Sequence, residues 1–347
     1  PATNVVPKNA KPLEKKKVED FCNFCAAKYL NTPPEKARLV KNGKKYEILR
    51  EVLPDKYNET QAEFRRISNL FEIVTYDYWT KNYGYVIPDN IKKWREAYVS
   101  NQAGFKHVMD MVTLKMKIMG KTEDEIKNTS IEDKLKLADA FFGGAHELIV
   151  SGRHFAKDAT MDHELCGSGN LTPEEHFQYF MFTIDAMKSI HANNRYIRYI
   201  SVFQNWLLQA GASFDHLHKQ LVAIDEWGTA VENEIELLRK NPNIYNEKAV
   251  NFASYHNLTI AENDYAVAFA DIGHRFPTIS VFSKSRHSRP WEHAPEEIEG
   301  VSDIIHACHA AMGNQLPCNE EWYYAPIDAF ESMPWHILIK WRINNPA

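Results

Sequence analysis

Hydrophobic positions along the chain change period several times, and each change marks an element. Between residues 91 and 140 the apolar residues recur at helical spacing. In AGFKHVMDMVTLKMKIMG they fall three or four apart, which predicts helix with one buried face. Ser130 precedes a further periodic stretch and reads as its cap. Upstream, residues 45–85 are rich in Tyr, Phe, Ile and Val, and FEIVTYDY reads as a strand. Residues 1–20 are polar and basic and read as an extended arm. From residue 143 the pattern switches to short β-type runs around a long helix. HELIVSGRH predicts a strand ending in a turn. LTPEEHFQYFMFTIDAMKSIHANN predicts a helix capped by Thr172, with Pro173 at the first position and Glu175 closing a capping box. YIRYISVFQNWL and HLHKQLVAI predict two strands. The second half repeats this order: AVAFADI and TISVFSKSRH, a helix at IEGVSDIIHACHAAMG, then strands at WYYAPIDAF and MPWHILIKWR. The copies run from about 143 to 226 and from about 265 to 342. A duplication of this kind predicts one pseudo-symmetric sheet.

Composition narrows the class. The chain has 347 residues, 44% hydrophobic and 25% charged, enough for a sizeable core without staples. A net charge of -5 argues against non-specific binding to nucleic acid, which draws most of its affinity from a basic surface. No apolar run approaches the roughly 18 residues that span a bilayer. The start, PATNVVPKNAKPLEKKK, lacks an apolar stretch of signal-peptide type. Five cysteines, an odd number in a long chain, fit a reducing compartment better than a disulfide framework. The expectation is a cytoplasmic protein with no nucleic-acid or membrane partner.

The densest chemistry lies in AGASFDHLHKQ, residues 210–220. At a strand start, His216, His218 and Gln220 share one face. Three polar side chains on one face of an apolar strand need partners or a ligand. The small residues before them let backbone N–H groups approach an anion. A neutral imidazole suits attack on an α-phosphorus, with a phosphoramidate discharged in a second step. On this reading His218 is the nucleophile and Gln220 supports the phosphoryl oxygens. A solvated strand face or a structural metal site is the plainer alternative. Lys219, between them, points to the opposite face and reads as a solvated lysine. Cys22-Asn-Phe-Cys25 is half a zinc site, or a redox pair, although that expects a βαβ setting. His154 and His216 are candidate completing ligands, giving a closed, structural site.

Taken together, CNFCAAKYLNTPPE, RRISNLFEIV, GGAHELIVSGRH, LTPEE, VFQNWLLQAGASFDHLHKQ and MPWHILIKWR resemble the galactose-1-phosphate uridylyltransferase family, in the nucleotidyltransferase and phosphorylase branch of the histidine-triad superfamily. The pieces occur in family order. The resemblance implies an α+β fold of two tandem histidine-triad-like halves in a pseudo-symmetric antiparallel sheet with flanking helices. Residues 1–226 would form one half, with the zinc segment and a helical insertion at about 75–140; residues 227–347 would form the other. It implies His218 as nucleophile, Gln220 as its phosphoryl-supporting partner, and Cys22, Cys25, His154 and His216 as zinc ligands. It also implies Asn205 and Ser213 near the nucleotide phosphates, Asn69 near ribose and base, and a homodimer. The partners implied are a nucleotide donor and a phosphate-bearing small-molecule acceptor.

Two departures concern the acceptor. The signature is often His-Pro-His-Gly-Gln, and here it is His-Leu-His-Lys-Gln; a cation before Gln220 suggests a more anionic acceptor. Sugar-transferring members also carry a segment after the last strand, whereas this sequence stops soon after WHILIKWR. Both departures favour a phosphorylase-like transfer, but the general frequency of the activity in the family keeps transfer between a nucleotide sugar and a sugar-1-phosphate as the first expectation. A phosphorylase-like transfer to phosphate, from a dinucleoside polyphosphate or adenylyl sulfate, is the second. A non-catalytic nucleotide-binding protein and a zinc hydrolase are the competing classes. Outside the motif, His336 reads either as a site residue or as a satisfied core histidine. Arg286, His287 and Arg289 read as a solvated turn before a phosphate site, and Cys166, Cys308 and Cys318 as buried thiols.

Overall fold

A computed structural model describes residues 9–342. Residues 1–8, part of the expected arm, lie outside the described residues. The rest of the arm is not uniformly extended, because Lys15–Asp20 forms a turn of 3-10 helix.

Eleven strands make one antiparallel sheet: β1 (Glu35–Asn42), β2 (Lys45–Arg50), β3 (Ala62–Ser68), β4 (His146–Ser151), β5 (Tyr199–Trp206), β6 (His218–Ile224), β7 (Thr259–Glu262), β8 (Ala266–Asp271), β9 (Thr278–Ser283), β10 (Cys318–Tyr323) and β11 (His336–Trp341). Their spatial order is β2-β1-β3-β4-β6-β5-β10-β11-β9-β8-β7. Outward from the central pair β5 and β10, the next strands are β6 and β11, then β4 and β9. In chain order β4 and β9 each precede a long helix and two strands, so the repeat expected from the sequence is a repeat in the sheet. The helices are α6 (Pro173–Asn193) and α9 (Pro295–Met312), and they pack against each other on one face. Thr172 caps α6 by accepting from the Glu175 N–H, while the Glu175 side chain accepts in return from the Thr172 N–H, as the capping box predicts.

The fold class is therefore α+β, as expected. The helical stretch is also present, as α1 (Tyr76–Tyr83), α2 (Asp89–Ser100), α3 (Gln102–Ile118), α4 (Glu123–Asn128) and α5 (Ile131–Gly143). These helices build their own core around Trp94, Tyr98, Val108, Met111, Phe141 and Phe142. Ser130 caps α5 as expected. FEIVTYDY, expected as a strand, instead enters α1: Thr75 accepts from the Tyr78 N–H and starts a helix that Gly84 ends in the left-handed conformation. The expected strand WYYAPIDAF lies earlier, at β10, and Pro326 follows its end. The segment from α7 (Thr229–Lys240) through a turn of π-helix (Asn246–Val250) and α8 (Asn251–Tyr255) to β7 links the two copies.

Candidate active site

β6 lies between β4 and β5, near the middle of the sheet. Alternation sends His218 and Gln220 to one face and Lys219 to the other. The register pairs Val150 with His218, and Leu148 and Phe203 with Gln220. Carried two residues further along β5, it sets Asn205 opposite His218. His218 is buried, and its Nδ1–H donates to the His216 carbonyl at 2.7 Å. A carbonyl can only accept, so the ring proton is fixed on Nδ1 and the lone pair is left on Nε2, on the other side of the ring. Burial lowers the pKa of His218 to about 4, so the ring is neutral at pH 7.

The four expected metal ligands come together from three separate parts of the chain. The Sγ atoms of Cys22 and Cys25 are 3.7 Å apart. His216 Nδ1 lies 3.4 Å from Cys22 Sγ and 3.9 Å from Cys25 Sγ, and His154 Nδ1 lies 3.3 Å from Cys25 Sγ. All four ligand atoms fall within 4.8 Å of one another. A tetrahedral ion with ordinary Zn–S and Zn–N bonds sets such atoms roughly 3.4 to 3.8 Å apart, so the cluster fits a metal of that kind. His216 Nε2–H donates to the Ser151 carbonyl at 2.7 Å, which turns Nδ1 toward the thiols. A hydrogen bond from Cys22, with others from His154 and His216, holds the Cys25 thiol far below its ordinary value, at about 2. Four protein ligands would close the coordination sphere of such an ion, which is the arrangement of a structural site.

Phe24, inside the Cys22–Cys25 loop, was not singled out in the sequence. It is the contact between the Cys22–Cys25 loop and His218. Its ring centroid lies 5.9 Å from His216, 5.5 Å from His218 and 4.7 Å from Phe214. The remaining expected residues are spread around this centre. Gln220 Oε1 is 3.1 Å from His146 Nε2, and Asn69 Nδ2 is 3.1 Å from the same nitrogen. Asn205 Oδ1 accepts from Asn319 Nδ2 at 2.6 Å. Ser213 is exposed in the loop before β6. Beyond Asn205, toward β10, opens a cleft of about 370 Å³ lined by Phe203, Trp227, Thr229, Glu321 and Tyr323 among others.

Lys219 corrects its expectation. It is fully buried on the helix face, 2.5 Å from Glu320, and lies over the rings of Tyr179, Phe180 and Trp322. It is neither solvated nor placed to meet an anionic acceptor. His336 is satisfied: its Nδ1–H donates to the Pro334 carbonyl at 3.0 Å, its Nε2 meets Glu234 at 3.5 Å, and Phe282 and Tyr323 stack on its two sides. Arg289 is not a solvated turn residue; it donates to the carbonyls of Pro326, Ile327 and Ala329. Cys166, Cys308 and Cys318 are buried free thiols, as expected.

The sequence model of one family, described as a domain of unknown function (DUF4921), matches residues 1–347. The chain belongs to this DUF4921 family. No curated protein matches it significantly. Among solved structures, this DUF4921 member is similar to a GalT-like protein from Arabidopsis thaliana, at 15% identity and a TM-score of 0.59, over 95% of this chain and 84% of that one. It is also similar to an ADP-glucose phosphorylase from Arabidopsis thaliana with bound ADP-glucose, at 13% identity and a TM-score of 0.56, over 98% and 91%. A structure of uridylyltransferase matches at 15% identity and a TM-score of 0.47, over 58% of this chain; the chain spans 64% of that protein's length. At these identities the likeness shows a shared fold, the GalT-like one. Among the described residues no helix is long and apolar enough to cross a membrane.

Proposed function

We propose that this protein is a nucleotidyltransferase that carries a nucleoside monophosphate covalently on His218. One observation carries the reading: the His218 ring is buried and neutral, its proton is pinned on Nδ1 by the His216 carbonyl, and Nε2 is directed away from that bond. A carbonyl fixes His216 in the same way to face the thiols, but His218 stands outside that ligand cluster, so its Nε2 is left for a substrate. In the first step Nε2 donates its lone pair to the α-phosphorus of a nucleotide donor, and the bond from phosphorus to the leaving oxygen breaks with its electron pair. The ring becomes positively charged as the N–P bond forms, and the His216 carbonyl stabilises that charge through Nδ1–H. In the second step a phosphate oxygen of the acceptor attacks phosphorus, the N–P bond breaks, and Nε2 regains its lone pair.

Gln220, Asn205 and Ser213 would contact the phosphates, and Asn69 the ribose or base. Cys22, Cys25, His154 and His216 would hold Zn²⁺, which would supply structural cross-linking and no chemistry in the transfer. The chain would divide into halves at 226/227. The cleft beyond Asn205 supports a sugar-bearing partner, since Trp227 and Tyr323 offer apolar faces and Glu321 a hydroxyl acceptor. We therefore read the exchange as one between a nucleotide sugar and a sugar-1-phosphate. Inorganic phosphate as acceptor is the second reading, and it lost one support when Lys219 proved buried. Initial rates with varied donor and acceptor test the proposal. Parallel double-reciprocal lines are expected with a hexose-1-phosphate as acceptor; intersecting lines would contradict a covalent intermediate. Turnover with inorganic phosphate alone would select the second reading.

A further inference from the structure

β4 begins at His146, whose ring reaches across to Gln220 on the neighbouring strand. His146 is 2% exposed. The Ile73 backbone N–H points at its Nδ1 at 3.1 Å. A backbone N–H can only donate, so Nδ1 must accept, and a neutral ring then carries its proton on Nε2. That Nε2 lies 3.1 Å from Gln220 Oε1, which can only accept. Gln220 makes no other side-chain hydrogen bond among the described residues, so its NH₂ group is available on the side away from His146. Asn69 reaches the same Nε2 with its Nδ2, at 3.1 Å, while its Oδ1 accepts from the Phe71 N–H at 3.0 Å. With the proton on Nε2 the Ile73 and Gln220 contacts are both satisfied and the Asn69 NH₂ is left for a ligand, whereas a proton on Nδ1 would satisfy the Asn69 contact alone.

We infer that His146 is a positioning residue: its Nε2–H fixes the Gln220 amide so that the NH₂, and not the carbonyl oxygen, faces the transferred phosphoryl group. An amide rotated by half a turn would present an acceptor to an anion, so the direction of this one bond decides whether Gln220 helps or opposes the reaction. The loop carrying Ile73 thereby acts on the nucleophile's neighbour through two hydrogen bonds. Burial holds His146 below the usual histidine range, against the pull of Gln220, Glu147 and the Phe71 carbonyl, so the ring stays neutral at pH 7.

The inference rests on nucleotidyl transfer at His218, and its test separates the two. Rates of nucleotide labelling at saturating donor are measured in single turnovers for the wild type, His146→Phe, His146→Gln, Gln220→Leu and the double variant His146→Phe/Gln220→Leu. His146→Phe is expected to slow labelling by about 10²-fold, in line with the cost of a misaligned catalytic contact. Donor affinity should stay within a few-fold. His146→Gln, which keeps an NH donor, should recover most of the rate. The double variant should be no slower than Gln220→Leu alone. Losses that multiply in the double variant would overturn the inference while leaving the transfer reading intact. No labelling of the wild type would overturn the transfer reading. Nitrogen-15 NMR of the histidine rings tests the geometry without activity. An Nε2–H tautomer, assigned by its loss in His146→Phe, is expected; an Nδ1–H tautomer directed at the Phe71 carbonyl would overturn the inference.

Discussion

His218 and Lys219 are neighbours in sequence and opposites in environment. One faces the site with its ring proton fixed; the other is buried in the helix layer against Glu320. Alternation along the strand made the two directions legible. It could not show that Lys219 meets a carboxylate 101 residues away, so a buried ion pair was read as a solvated lysine. The pair is completed by His309, whose Nε2 is 2.9 Å from Glu320, and by Trp322, which donates to the same carboxylate at 2.7 Å. Lys219→Met leaves Glu320 buried without its cation and should cost about 3–5 kcal/mol in urea denaturation. Lys219→Met/Glu320→Gln should regain part of that loss. Burial alone would raise the Glu320 carboxyl, but Lys219 and His309 hold it well below the usual carboxylate range. Its unfolded value is near 4.3, so its stabilising contribution is full above that pH and declines as pH falls toward the folded value. Between pH 5 and pH 3 the wild type should therefore lose more stability than Glu320→Gln. Equal losses would count against the pairing. His146 shows the other limit of legibility. The His-Glu pair stood in the sequence, but its reach to Gln220 depends on strand register and on the Ile73 backbone.

At the scale of elements, the Cys22–Cys25 loop joins the cysteine–histidine cluster to His218 through Phe24. The cysteine spacing was readable, but a phenylalanine between two cysteines carries no signal of its own. Chelation should lower the melting temperature and slow labelling of His218 together, because the loop that seats Phe24 is released. Phe24→Ala should retain one metal ion per chain by elemental analysis and still slow labelling. Full-rate labelling by that variant would show the contact to be packing only. The helical region has a physical role as well. His107 on α3 reaches the Thr32 carbonyl at 2.8 Å and bonds Tyr98 at 2.7 Å, which fastens the helices to the segment after Cys25. His107→Leu strands those partners and should cost about 1–3 kcal/mol. FEIVTYDY misled because its β-type composition is local, whereas a single cap at Thr75 and the packing of buried Trp79 decide for helix.

Over the whole molecule, the repeated order of strands and helices was legible because period-2 and period-3.6 runs alternate in the same sequence twice. The edge strand β2 and its neighbour β1 were not, since charged residues interrupt the alternation in both. The two copies meet where β5 pairs with β10, and the Lys219–Glu320 pair crosses the same seam on the helix face. Unfolding should accordingly be one cooperative transition, coincident by circular dichroism and tryptophan fluorescence; two separated transitions would mean that the seam couples the copies weakly. The copies differ most in their histidines. His218 and His336 are both held by a carbonyl two residues back, but only His336 has its Nε2 met by a carboxylate, Glu234. The account thus rests on one nitrogen. Intact-protein mass spectrometry after brief incubation with UDP-glucose, ADP-glucose, GDP-mannose, diadenosine tetraphosphate or adenylyl sulfate tests it most directly. The account predicts an acid-labile gain of one nucleoside monophosphate with at least one donor, absent in His218→Ala. Donor binding without any such gain, or a gain that survives in His218→Ala, would contradict it.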